Sequence, residues 1–171
     1  TNNNNVTINV NDGEFNATHS NLGEVLIESN TRAIFRIAEC DRLTERVTTA
    51  GGRIEANTIG SINVRTSDTN VYINTLTNGG TINLTDGGNI EISNTYALTD
   101  LTTRLGDISV NGAHAGLVVS SHDGSINVEN AYLYVNATNA YGDINVNFSN
   151  EADSYTSETS SRRLVATTEN G

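Results

Sequence analysis

From Gly88 onward, short bursts of alternating apolar and polar residues recur at a constant interval. The blocks are Gly88-Asn-Ile-Glu-Ile92, Gly106-Asp-Ile-Ser-Val110, Gly124-Ser-Ile-Asn-Val128 and Gly142-Asp-Ile-Asn-Val146, evenly spaced along the chain. Earlier copies stand at Gly60-Ser-Ile-Asn-Val64 and Gly80-Thr-Ile-Asn-Leu84, with a weaker one at Gly52-Arg-Ile54. Alternation with period two is the mark of a strand with one buried face. A fixed period close to twenty is the mark of a solenoid, in which every repeat is one turn of a coil.

The expected fold is therefore all-β: a single-stranded β-solenoid (β-helix) with ~18-residue rungs. Stacking at ~4.8 Å per rung makes Ile90, Ile108, Ile126 and Ile144 one interior column, and Ile92, Val110, Val128 and Val146 the next. Each buried aliphatic contributes roughly 1.5–3 kcal/mol, so the stack is stable where one rung is not. The block glycine is expected at a corner, in positive φ. The residue after it (Asn89, Asp107, Ser125, Asp143) is expected to hydrogen-bond the turn backbone. A second strand per rung is read at Val71-Tyr-Ile73, Leu117-Val-Val119 and Leu133-Tyr-Val135.

Three regions follow from this pattern: N-terminal strands forming a cap over 1–50, solenoid repeats over 51–148, and a polar linker with a strand-like tail over 149–171. Val6 to Val10, followed by Asn11-Asp12-Gly13, reads as a strand entering a hairpin turn. Ala33, Phe35 and Ile37 alternate as in a strand, although the stretch from Thr31 to Val47 lacks Gly and Pro and could also form a helix. Either form would cover an end of the sheet that otherwise invites aggregation. Ser149 to Ser161 is small and polar and reads as a flexible linker. Beyond it, Leu164, Val165, Ala166, Thr167 and Thr168 form a candidate inter-subunit strand, available for pairing with another copy by strand addition, or else a tail that folds back on its own chain or frays.

Composition changes the picture in three ways. The chain has nine Arg and no Lys against twenty Asp plus Glu, a net charge of −11. Phosphate recognition needs clustered positive charge, so nucleic acid is not an expected partner. No run approaches the ~20 apolar residues of a membrane helix, and membrane insertion is not expected. The sequence opens at Thr1 without Met or a signal peptide, which reads as a processed or trimmed chain. Cys40 is the single cysteine. Its plain reading is a small buried hydrophobe, and its sharper one an intermolecular disulfide in an exported polymer.

Candidate chemistry is sparse. His19, His114 and His122 do not have the spacing of converging zinc ligands. Ser120-Ser121-His122-Asp123 contains triad residue types, but strand neighbours point to opposite faces. Asp107 and Asp143 share a turn position two rungs apart, ~9.6 Å by strand spacing. That is near the upper separation for an inverting glycosidase, ~6.5–9.5 Å, yet Asn and Ser fill the same position in sister rungs. No cofactor is expected; oxygen ligands around Asp86-Gly-Gly-Asn89 keep calcium as the one metal to consider. Five Asn-x-Ser/Thr sequons are no more than chance predicts for so much Asn, Ser and Thr. The most suggestive surface group is aromatic: Tyr72, Tyr132 and Tyr134 are expected to point outward, as a glycan- or partner-binding face or as a plain cross-rung ladder.

On its Gly-Asp-Ile-Ser-Val and Gly-Ser-Ile-Asn-Val blocks, over roughly residues 50–148, the chain resembles the bacterial adhesin β-solenoid family, which includes head domains of some surface adhesins. The resemblance implies a secreted or cell-surface location and a binding or structural role, with no catalytic residues to carry over. The expectation is a non-enzymatic extracellular surface protein, either an adhesin-like module or a subunit of a filament, sheath or layer, whose partner is itself or a cell-surface glycan. The expectation from a different class is a β-helix protein that binds or cleaves polysaccharide.

Overall fold

The computed structural model describes residues 4–10, 12–28, 32–46, 51–150 and 162–169. They form a parallel β-solenoid. Its strands are β1 (Val6–Ile8), β2 (Gly13–Ile27), β3 (Ala33–Arg46), β4 (Gly52–Thr66), β5 (Thr69–Leu76), β6 (Gly80–Leu84), β7 (Ile90–Thr95), β8 (Thr99–Thr103), β9 (Ile108–Ala113), β10 (Leu117–Ser121), β11 (Ile126–Ala131), β12 (Tyr134–Asn139), β13 (Ile144–Phe148) and β14 (Arg163–Thr168).

β4 is the key to the topology. Its first half pairs with β5 and its second half with β6. From that strand two walls grow upward, β5-β7-β9-β11-β13 on one side and β6-β8-β10-β12-β14 on the other. β1, β2 and β3 lie off this path, stacked in sequence below β4. Phe15 lies beside Phe35 and Phe35 beside Ile54, each partner one turn further along the chain, so the stacking pattern also runs through the N-terminal strands. The stretch that could have been helical is strand β3.

The two interior columns form as alternation demands. Ile90 stacks on Ile108, Ile108 on Ile126 and Ile126 on Ile144, with Ile92, Val110, Val128 and Val146 alongside. All but the last member of each column are almost fully buried. The motif copies at Gly60 and Gly80 lie elsewhere, on the second wall, and are out of step with one another: Val64 meets Ile82 and Ile62 meets Gly80. Val71 and Ile73, read from sequence as a second strand, stack under Ile90 and Ile92 on the first wall. Spacing alone cannot separate the walls, because both use the same alternation.

Two further expectations are corrected. Val6–Ile8 enters no hairpin: β1 runs parallel to the far half of β2, with Val6 beside Val25 and Ile8 beside Ile27. Among the four in-phase block glycines only Gly88 has positive φ (105°). Its successors are glycine because the corner backbones of adjacent rungs pass too close for a side chain.

Polar side chains close three successive rungs. Thr103 Oγ1 donates to the Gly88 carbonyl (3.0 Å), Ser121 Oγ to Gly106 (3.0 Å) and Asn139 Nδ2 to Gly124 (2.6 Å). Each bond ties the end of a second strand to the glycine that opened its own turn. The residue after the glycine, and Asn70 at the matching corner after Thr69, instead link successive rungs. Asn70 Oδ1 accepts the Asn89 amide, Asn89 Oδ1 the Asp107 amide and Asp107 Oδ1 the Ser125 amide. These bonds satisfy backbone groups that the corner removes from the sheet ladder.

Candidate functional site

On the outer face of the first wall, Arg36, Glu55, Tyr72 and Glu91 occupy one column, one rung apart. Outward position follows from parity, since their neighbours Phe35, Ile54, Val71 and Ile90 point inward and are buried. Glu55 accepts from Arg36 Nε at 2.7 Å and also pairs with Arg53. Arg36 in addition pairs with Glu14. Partial desolvation pushes the Glu55 carboxyl up, but the hydrogen bonds and charges of Arg36 and Arg53 outweigh it and hold it below the usual range. Arg53 also lies over the Tyr72 ring, 4.2 Å from its centroid, a cation–π contact that fixes the ring.

Beside this column runs a groove of ≈ 580 Å³ across β3, β4, β5 and β7. Ala38 and Ala56 also line it, and their small side chains leave room beside Tyr72. Arg53, Glu55 and Tyr72 border it, with Asn57, Asn74, Glu91 and Ser93. Asn74 Nδ2 donates to Asn57 Oδ1 at 3.0 Å, so two amides are linked across adjacent rungs. Tyr72 was legible in the sequence as an outward aromatic. The Arg36–Glu55–Arg53 network was not, because it joins Arg36 to residues a full turn away, and only the stack sets their register.

The three candidate tyrosines do not share one face. Tyr72 is on the first wall. Tyr132 lies at the corner after β11, stacked on His114 at 4.6 Å, and His114 stacks on Tyr96 at 4.4 Å. Tyr96, His114 and Tyr132 recur at the same interval as the glycine blocks, so this is the cross-rung ladder, with a histidine as its middle member. Tyr134 is on the second wall, 40% exposed and beside Arg163.

The remaining candidates disperse. His122 contacts Asp123 at 2.8 Å and tilts against Tyr141, while Ser121 is buried in its rung-closing bond. Those side chains therefore serve different local purposes. Asp86 lies 3.6 Å from Arg104, and Asp107 caps the next rung. Cys40 is 1% exposed, between Leu22 and Ile59 in the stack. Burial, and then the charges of Asp41 and Glu39, push its thiol up to about 12. A disulfide to another chain would require β3 to open. Leu164 to Thr168 pair with Val135 to Asn139 of the same chain, as β14 on β12. The linker expected up to Ser161 lies, from Glu151 onward, outside the described residues.

One buried group escaped sequence reading. Glu45 occupies an inward position between Ile27 and Val64, is 5% exposed, and its Oε2 has no hydrogen-bond partner. Burial raises its carboxyl to about 7. The signal was present, since Leu43-x-Glu45 places Glu45 in the same phase as the core residue Leu43.

A family model described as Toastrack DUF4097 matches residues 1–164, and the chain belongs to that family. No curated protein and no solved structure matches it.

Proposed function

We propose that this member of the Toastrack DUF4097 family is a non-enzymatic extracellular surface protein, an adhesin-like module or a subunit of a filament, sheath or layer, whose copies stack end to end. The observation that carries this reading is where core cover is lost. Among the described residues, Val6, Val10, Phe15, Ile144, Val146 and Phe148 are the partly buried apolar residues packed against the core. The first three belong to the N-terminal end and the last three to the final turn. Ile126, Val128 and Ala131, one rung below that turn, are completely buried. Leu164 is 44% exposed above a fully buried Val135.

The two ends are complementary in column. The column of Ile144 begins at Phe15, that of Val146 at Ala17, and that of Leu164 at Val6. A second copy placed above the final turn would set Phe15 on Ile144 and Val6 on Leu164, continuing every interior column. Such a contact joins unlike surfaces and does not close on itself, so it generates an open filament. It also pairs the open strand edges that isolated sheets must otherwise protect.

Sedimentation velocity and negative-stain electron microscopy over a concentration series test this. The wild type is expected to form rods of growing length, and Ile144→Glu to remain a monomer with a native circular dichroism spectrum. A wild type that stays monomeric throughout, or rods that survive Ile144→Glu, would overturn end-to-end stacking.

A further inference from the structure

We infer that the groove beside Tyr72 on the first wall binds a neutral oligosaccharide lying along the coil axis. This goes beyond the proposed role and does not depend on end-to-end stacking.

Charge selects the ligand class. Arg36 and Arg53 are the cations that line the groove; Arg36 is held by Glu14 and Glu55, and Arg53 by Glu55. An anion would meet guanidinium charges already neutralised by those carboxylates, together with the negative charge of Glu91. A cation would find Glu91 alone: among the described residues no three His, Cys, Asp or Glu side chains converge. Phosphates, uronates and metals are thus disfavoured by the same arrangement, and an uncharged ligand rich in hydroxyl groups is not.

The groups left free suit such a ligand. Because the Asn57–Asn74 bond uses one Nδ2 hydrogen of Asn74 and the Oδ1 of Asn57, the Asn57 NH2 and the Asn74 Oδ1 remain for a partner. Glu91 is exposed and supplies two acceptor oxygens, and Ser93 adds a hydroxyl that can donate or accept. Tyr72 supplies the apolar surface. Arg53 covers one face of its ring and fixes its plane, so a sugar's C–H face meets a prepositioned aromatic rather than a mobile one. A concave site with one aromatic and a few fixed polar groups is the usual build of a ligand pocket.

Spacing gives the orientation. β3 to β7 spans three rung intervals, about 14 Å at ~4.8 Å each. One interval is close to the length of a pyranose unit in an extended chain, so each sugar would face the outward residues of one rung. The site would hold roughly three units.

Isothermal titration with cellohexaose, chitohexaose, xylohexaose and laminarihexaose tests the inference, using wild type and the Ile144→Glu monomer so that stacking and ligand binding are read separately. At least one hexaose is expected to bind saturably. Tyr72→Ala should weaken it by about tenfold or more, Tyr72→Phe should leave it near wild type, and Glu91→Gln should weaken it several-fold. Tyr134→Ala, on the other wall, should leave it unchanged. Failure of all four sugars to bind, binding indifferent to both Tyr72→Ala and Glu91→Gln, or tighter binding of an oligogalacturonate would each overturn it.

Discussion

Gly124 lies directly against Gly106 of the rung below: a Cβ on Gly124 would stand 2.9 Å from the Asp107 nitrogen and closer still to the Gly106 carbonyl. Neither atom belongs to a flexible side chain that could move aside. Gly124→Ala is therefore expected to cost about 3 kcal/mol, at the upper end of overpacking effects, by forcing two rungs apart. Urea denaturation should show a lowered midpoint with an unchanged slope. A midpoint equal to wild type would show that the corner tolerates a wider spacing.

Rung closure makes a separate prediction. Ser121 Oγ donates to the Gly106 carbonyl and accepts the Gly124 amide, both at 3.0 Å. Ser121→Ala leaves both buried backbone groups without that partner and should destabilise by about 1–3 kcal/mol. Ser121→Thr retains the hydroxyl, as Thr103 does one rung below, and should recover most of the loss in thermal melts.

Glu45 predicts an unusual pH dependence. Its folded pKa, about 7, lies above its ordinary value of 4.5, so folding favours the neutral acid. That contribution is fully present below pH ~4.5 and is lost as pH rises through ~7. Over this window it amounts to about 3 kcal/mol, since each tenfold change in proton affinity is worth about 1.36 kcal/mol. The difference in stability between Glu45→Gln and wild type should therefore grow in favour of the variant from pH 5 to pH 8. A constant difference across that range would show that Glu45 is ionised in the folded protein. Subtracting the variant curve removes the opposite trend of Glu55, whose depressed pKa makes its contribution fade at acid pH.

For Cys40 the expected result is silence. A thiol 1% exposed, with its pKa raised to about 12, is neither accessible nor nucleophilic at neutral pH. Ellman's reagent should react with less than a tenth of the protein in native buffer and stoichiometrically in guanidinium. Rapid native labelling, or covalent dimers on non-reducing gels, would show that β3 opens in solution.

The columns of Ile90 and Ile92 were legible in the sequence, because a constant period and two-residue alternation leave one way to stack Gly88 to Val146. The tail was half legible. Its strand character was clear from Leu164-Val-Ala-Thr-Thr168, but the choice between another copy and its own chain, and β12 as the partner, was not. The candidate site was legible at Tyr72 alone. Arg36, Arg53 and Glu55 belong to strands whose turns lack the regular glycine spacing. Turn length drifts there: the register of β2 on β3 shifts between the Ala17–Ile37 and Asn21–Glu39 pairs. A one-residue slip would turn each of those side chains to the opposite face.

What the sequence determined by itself is the period, the strand type and the inward set, since those depend only on local alternation and on repetition. The tertiary structure decided which wall each copy joins, which polar groups meet across rungs, and why glycine recurs at the corner. Those properties depend on register and on the distance between backbones. Neighbours in the stack are a whole turn apart in the chain, and no local pattern records how closely two turns approach.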